Sequence, residues 1–238
     1  MSDWAAKRFW KSVEINQARD GFAVTLDGKS VLTPAKAMLI LPTAQYARMV
    51  AAEWETVSDK IDPNRMPVTR SANAAIDKVT HQKAEVAAML ADYGDSDLLC
   101  YRATEPTALV ALQKEKWDRY LVWAADELGA QLQPRFGVIH QPQDPDALLV
   151  LSRRVHAMTV FELSAMHDLV SLSGSLILAF AATAGFTTTE DLWNSSRIDE
   201  FWQEQQWGVD EEAAAQSAQK RAAFLLAAQI FSACKLKY

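Results

Sequence analysis

The first forty residues alternate apolar and polar side chains. Val13 and Ile15 are set between Ser12, Glu14 and Asn16, and Phe22, Val24 and Leu26 share one face of a second run. Period-2 alternation marks half-buried strands. Asp27-Gly28 follows at once, and both residues suit the positive φ angles of a two-residue hairpin turn. The chain is therefore expected to pair back over Ser30 to Thr33, with Met38 to Leu41 as a fourth strand. This pattern predicts an antiparallel meander with one face to be covered.

The period then changes to that of a helix. Thr43 after Pro42 is a candidate N-cap, and Tyr46, Met49, Val50, Trp54 and Val57 recur at helical spacing. Pro63 and Pro67 bound a loop, Ser71 to Tyr93 reads as one or two helices ending at Gly94, and the apolar run Leu98 to Tyr101 is placed as a strand returning to the sheet. From Pro106 onward the period is 3.6 almost throughout. Val110, Trp117, Leu121, Ala124 and Leu128 line one helix stopped by Gly129; a proline-bearing stretch (Pro134, Pro142, Pro145) carries Val138-Ile139 as a short strand; Ala147 to Met158 is helical.

Thr159 to Ala184 is apolar nearly all round, which predicts one central helix packed on every side. Its most apolar part, Leu169 to Ala184, is shorter than the ~20 residues that span a bilayer and contains Ser171, Ser173, Gly174 and Ser175, so it reads as core. Thr187 and Glu190 form a capping box opening a helix that stops at Gly208. Asp210, Glu211 and Glu212 start the last helix, with Phe224, Ala227, Ala228, Phe231 and Cys234 as its apolar stripe. The elements together predict an α+β fold in two domains: a small β-rich α+β domain over residues 1–105 and an all-α orthogonal helical bundle over 106–238.

Composition narrows the function. The chain has 238 residues, half of them hydrophobic and 23% charged, as in an ordinary globular protein. A net charge of −6 argues against general binding to nucleic acid or to an anionic membrane surface, both of which need basic surface. Cys100 and Cys234 lie far apart with no CxxC pair, and read as buried thiols in a reducing compartment. The first ten residues hold no apolar run of the signal-peptide kind and no Arg- and Ser-rich transit pattern.

Motifs for catalysis are missing from the sequence. There is no P-loop, GxGxxG, HExxH or GxSxG element, and with only eight glycines few backbone cradles for phosphate are available. His156 and His167, with Glu162 between them, are too far apart along a helix to share one ion. A Ser175–His167–Asp168 triad is disfavoured because adjacent helical residues such as His167 and Asp168 point apart. The acid pairs Asp95 with Asp97 and Asp199 with Glu200, and the run Asp210 to Glu212, give no acid–base assignment without a cleft. No cofactor and no metal is expected.

Tryptophan stands out instead, with eight in the chain. On a helical wheel drawn from Thr188 to Trp207, Ile198, Phe201, Trp202 and Gln205 form a core-like side, while Trp193, Arg197, Glu200, Glu204 and Trp207 share the other. A face mixing two tryptophans with charges suits a partner surface or an interhelical groove. Glu200 and Glu204 are also like charges one turn apart. The alternative is that Trp193 and Trp207 simply pack onto neighbours at the helix ends.

At these residues the chain resembles a known family nearly end to end. The matching segments are RFWKSV at Arg8, VTLDGKSVLTP at Val24, LPT at Leu41, AAEW at Ala51, IDPNRMPVT at Ile61, AIDKV at Ala75, DLLCYRA at Asp97, the pair Trp117-Asp118, and SRIDEFWQEQQWGVDEEA at Ser196. In this order they resemble the assembly chaperones of F-type ATP synthase that handle the alpha subunit (the assembly factor 2 type). Arg119 departs from the family, which often has Pro soon after the Trp-Asp pair. The resemblance implies an N-terminal β-rich domain, a C-terminal helical bundle and a non-catalytic, cofactor-free chaperone. Its implied partner is the free alpha subunit, held at its nucleotide-binding domain until beta replaces the chaperone. The family's functional acid falls on Glu200, with Asp199 as the near alternative. The expected partner surface is thus Glu200, Asp199, Arg197, Glu204, Trp193 and Trp207, on a monomer of the bacterial cytoplasm, or of the mitochondrial matrix in eukaryotic relatives. The competing readings are a small hydrolase built around His156 and His167, and an interaction module for another complex.

Overall fold

Two strands joined by a two-residue turn open the structure, a computed structural model that describes residues 7–137, 139–208 and 210–235. β1 (Val13–Ala18) pairs antiparallel with β2 (Gly21–Leu26), from Val13 opposite Leu26 to Ala18 opposite Gly21. β2 then turns into β3 (Lys29–Ser30) through Asp27 and Gly28, whose φ angles of 48° and 79° fit the expected hairpin turn. The Asp27 carboxylate accepts the backbone N–H groups of Ser12 (2.8 Å) and Lys11 (3.0 Å), which hold its pKa below the ordinary value and tie the turn to the entry of β1.

The fourth strand departs from a simple meander. β4 (Ile40–Leu41) does not extend β3 outward; it joins the same edge of β2 further along, with Phe22 opposite Leu41 and Ala23 opposite Ile40. Pro34 carries no N–H, and Lys36 takes a positive φ of 66°, so the chain folds back between the Thr33 and Ala37 hydrogen bonds and returns to β2. β2 is thereby central, and four of its six residues, Ala23 to Leu26, are buried.

α1 (Ala44–Thr56) covers the sheet. Its N-cap is Thr43, whose hydroxyl oxygen accepts from Tyr46 N–H at 3.1 Å, and its buried face is Tyr46, Ala47, Val50 and Ala51. Two of the segments that carry the family resemblance have structural work here. Arg8 donates to the carbonyls of Glu55 and Val57 at the end of α1 and lies over the Trp10 ring, which meets Trp54 edge-on. Glu53 accepts from Val68 N–H, Thr69 N–H and the Thr69 hydroxyl, all at 2.7 Å, and so caps α2 (Pro67–Asp77). This helix starts at Pro67 rather than Ser71, because proline suits the first helical position.

α3 (Lys83–Asp92) leads to a 3-10 turn at Leu98–Cys100 and to β5 (Tyr101–Arg102). β5 does not return to the first sheet. It pairs in parallel with β6 (Arg135–Phe136), so the helical part of the chain is not wholly α. The strand expected at Val138-Ile139 falls partly on Val138, outside the described residues. α4 (Thr107–Trp123) continues through a π-helical turn, Ala124–Leu128, to Gly129 in the left-handed region. α5 (Pro145–His156) is capped by Asp144.

The single apolar helix expected from Thr159 to Ala184 is two helices, α6 (Val160–Ser173) and α7 (Leu176–Ala184). Gly174 sits at φ 72°, and the Ser175 hydroxyl caps the new helix by accepting from Leu178 N–H. α8 (Thr189–Ser196) is capped by Thr188, one residue later than the capping box suggested. α9 (Ile198–Trp207) and α10 (Glu211–Cys234) complete an α+β fold.

By contact the chain forms two units. One contains residues through Lys83, Thr159–Ala165 and the chain from Gln229; the other contains Ala84–Met158 and Met166–Ala228. The first boundary lies at Lys83, not near residue 105, because the 84–105 segment joins later helices. Leu98 N–H bonds the Gly174 carbonyl, and the Asp97 carboxylate accepts from the Ser175 hydroxyl at 2.7 Å and Ile177 N–H at 3.0 Å.

Candidate functional site

The wheel drawn from Thr188 to Trp207 treats as one helix what the structure divides at Arg197, where φ −114° and ψ 18° interrupt the helical path. The cause is local. The Ser195 and Ser196 hydroxyls donate back to the carbonyls of Asp191 (2.8 Å) and Trp193 (2.7 Å), which bends a helix. Buried Trp117 donates its indole N–H to the Ser195 carbonyl at 2.7 Å, taking the acceptor that a continuing helix would offer to Asp199 N–H. α9 therefore leaves the helical core on a new axis.

This break separates the expected surface residues. Trp193, on α8, is only 2% exposed and packs against Phe224, so it belongs to the core and not to the charged face. Arg197 is a tie at the break. Its guanidinium lies 5.0 Å from the centre of the Trp193 ring, reaches the Leu172 carbonyl at 3.4 Å, and pairs with Glu200 at 2.8 Å. Asp199 is half-buried and accepts from the Gln113 amide at 2.7 Å. Glu200 is exposed, Glu204 is half-buried, and Trp207 is 80% exposed. Glu200, Glu204 and Trp207 do share a groove, together with Arg197, Asp210 and Lys220 from the break and from α10; its volume is about 370 Å³.

The side of α9 that resembled a core face is not one. Ile198 is the one buried residue of the helix; Phe201 is 37% exposed, Trp202 is half-buried and Gln205 is exposed. Ile198, Phe201, Trp202 and Gln205 instead line a second groove of about 280 Å³ with Leu112 and Arg119. Trp202 and Trp207 also line a third, of about 610 Å³, opposite Tyr101 to Pro106. Phe201, Trp202 and Gln113 are thus site residues that the periodicity hid. The available signal was the Ser195-Ser196 pair, which weakens the continuous-helix reading.

The other candidates have structural explanations. His167 and Asp168 do not point apart: their side chains hydrogen-bond at 3.2 Å, which raises the His167 pKa. Ser175 is engaged with Asp97 and the start of α7, so no triad forms. His156 bonds within its own helix turn, to Ser152. Burial pushes the Asp97 carboxyl up to about 6 from its ordinary 3.8, against the pull of hydrogen bonds from Ile177, Ser175 and Leu99. Cys100 and Cys234 are free and buried; burial raises both thiols, Cys234 to about 12. Among the described residues no group of three His, Cys, Asp or Glu could hold a metal ion, and no helix is long and apolar enough to cross a membrane.

A lightly held helix with exposed aromatics and acids, flanked by three grooves, is the kind of surface that meets another protein, as the chaperone class requires. Residues 7–125 match the family model of the ATP12 chaperone protein, and the chain belongs to that family. Relatives cover nearly all of it. Atp12 from Paracoccus denitrificans superposes with a TM-score of 0.94 at 48% identity over 98% of this chain and all of that one; an aspartate-to-lysine variant of the same protein gives 0.95. A protein from Agrobacterium tumefaciens gives 0.91 at 38% identity, covering 96% of this chain and 86% of that one. The mitochondrial atp12 protein of Schizosaccharomyces pombe is 23% identical over 219 residues, 87% of this chain and 75% of that protein. The chain is a chaperone and not an enzyme.

Proposed function

We propose that this chaperone assists assembly of F-type ATP synthase by holding the free alpha subunit. Alpha that has not met beta exposes apolar surface, which aggregates. The chaperone binds alpha at its nucleotide-binding domain, shields the surface that beta will cover, and leaves when beta joins. It works as a monomer and without nucleotide, in a bacterial cytoplasm or, in eukaryotic relatives, the mitochondrial matrix.

The observation that carries this reading is α9: a ten-residue helix with one buried side chain, Ile198, and with Phe201 and Trp207 exposed. Solvent alone gives no reason to keep these aromatics outside. Beside them in the grooves stand Asp199, Glu200, Glu204 and Asp210, an acidic rim that suits a client surface of positive charge.

Co-expression with the alpha subunit, followed by size-exclusion chromatography, tests it. Alpha is expected to stay soluble and co-elute, and added beta to displace the chaperone. Glu200→Lys, placed beside Arg197, is expected to lose co-elution while the far-ultraviolet circular dichroism stays that of the parent. Insoluble alpha with nothing co-eluting overturns the client assignment.

A further inference from the structure

The groove opposite Tyr101 to Pro106 differs in chemistry from the other two grooves beside α9. Three aromatic side chains line it, Tyr101, Trp202 and Trp207, with two carboxylates, Glu105 and Asp199, and one cation, the buried Arg102, whose guanidinium is paired with Asp118. Asp199 is oriented through a relay of two hydrogen bonds. Ala103 N–H donates to the Gln113 side-chain oxygen at 2.8 Å, and the Gln113 NH2 donates to Asp199 Oδ1 at 2.7 Å. Gln113 is 1% exposed, and because its oxygen faces a backbone donor its amide can present only the NH2 to Asp199.

Several acids nearby have cationic partners, whereas Glu105 and Glu204 enter no ion pair among the described residues. Glu200 pairs with Arg197, Asp191 with Arg119, Asp118 with Arg102, and Glu190 with Arg221. Asp199 is held by a neutral amide, and no ion pair involves it among the described residues. A fixed, unneutralised carboxylate among indole and phenol rings is what a guanidinium matches: it forks onto a carboxylate and stacks on an aromatic face, and it is less strongly hydrated than an ammonium. At about 610 Å³ the groove exceeds one side chain, so the occupant is a segment that carries it.

We propose that this groove reads an arginine on a segment of the client, with Asp199 as its counter-charge, Trp202 and Trp207 as stacking surfaces, and Gln113 as the positioning residue. The proposal rests on the chaperone–client reading above but makes a separable claim about chemistry.

The test titrates the full chain with N-acetyl-arginine methylamide, and with the matched lysine and citrulline compounds, while the tryptophan indole N–H signals are followed by NMR. Trp202→Phe and Trp207→Phe assign the two signals. The arginine compound is expected to shift both, saturating in the millimolar range; the lysine compound binds several-fold more weakly, and the citrulline compound leaves them in place. Asp199→Asn is expected to weaken arginine binding by about tenfold or more, the loss of a charge-assisted pair. Gln113→Met is expected to erode the preference for arginine over lysine; if that variant does not fold, Asp199→Asn decides alone. An equal response to citrulline, or an Asp199→Asn titration like the parent's, overturns the proposal. Parallel co-elution separates the two claims. Arginine binding without captured alpha leaves the groove standing and removes the client; captured alpha without an arginine response does the reverse.

Discussion

α7 and α9 are helices of nine and ten residues in the same unit, and they are built to opposite ends. α7 buries every residue from Leu176 to Ala181. The donors of its first turn are also satisfied by the protein: Ile177 N–H by Asp97, and Leu178 N–H by Ser175. α9 buries Ile198 alone, has no side-chain cap at Arg197, and keeps Asp199 and Glu200 in its first turn, where negative charge suits the helix dipole. One helix is held by packing, and the other by its own backbone and charges. A helix that contributes little to the core is free to carry aromatics for a partner, which is how a chaperone can present a sticky face without staking its fold on it.

The contrast breaks most easily at its buried end. Leu178→Ala is expected to cost about 2–5 kcal/mol, because it opens a cavity where nothing can collapse from solvent. Phe201→Ala on α9 removes a larger side chain yet is expected to cost no more than about 1 kcal/mol. Urea unfolding measures both. Equal costs would mean that α9 is as structural as α7.

A second effect comes from the carboxylate that caps α7. Asp97 has a folded pKa of about 6 against 3.8 in the unfolded chain, so the folded form binds the proton more tightly. Its contribution to stability is greatest below 3.8 and is lost as pH rises through about 6. The stability difference between the parent and Asp97→Asn is therefore expected to shift against the parent over that window and to level off above it. A difference that stays constant from pH 4 to 7 would show that the hydrogen bonds from Ser175, Ile177 and Leu99 at least offset burial.

The two helices also differ in how well the sequence announced them. The core membership of α7 was legible from its uniform apolarity, but the Gly174 break before it was not, because Gly174 and Ser175 look like tolerable small residues until Asp97, far away in sequence, is seen to cap the new start. The first hairpin and the Thr43 cap were legible because their signals are local: Asp-Gly sets its own turn and Thr43 caps its own helix. The pairing of β5 is not legible in the sequence because its partner, β6, is a two-residue strand with no pattern of its own. At the site, the wheel puts Glu200, Glu204, Trp207 and Trp193 on one face; the first three share a groove, whereas Trp193 lies in the core. Periodicity assumes one axis, and the axis changes at Arg197 because Trp117 takes the Ser195 carbonyl. Gln113 could not be singled out at all; its importance lies in two hydrogen bonds, to Ala103 and Asp199, that span the fold.

The smallest expected stability effect belongs to Trp207, and it is the sharpest test of the comparison. Its ring is 80% exposed at the last position of α9, beside Gly208, so Trp207→Ala takes almost nothing from the core and is expected to change unfolding free energy by no more than about 0.5 kcal/mol. A buried tryptophan such as Trp193 would cost about 3–5 kcal/mol under the same substitution. The same Trp207→Ala chain is expected to fail to keep the alpha subunit soluble, because the ring borders the grooves on two sides of α9 and a partner would cover it from both. Unfolding curves that coincide with the parent's, together with lost co-elution, would assign the ring to the partner. If alpha still co-elutes with the variant, Trp207 is only an exposed helix end, and the client face lies nearer Phe201.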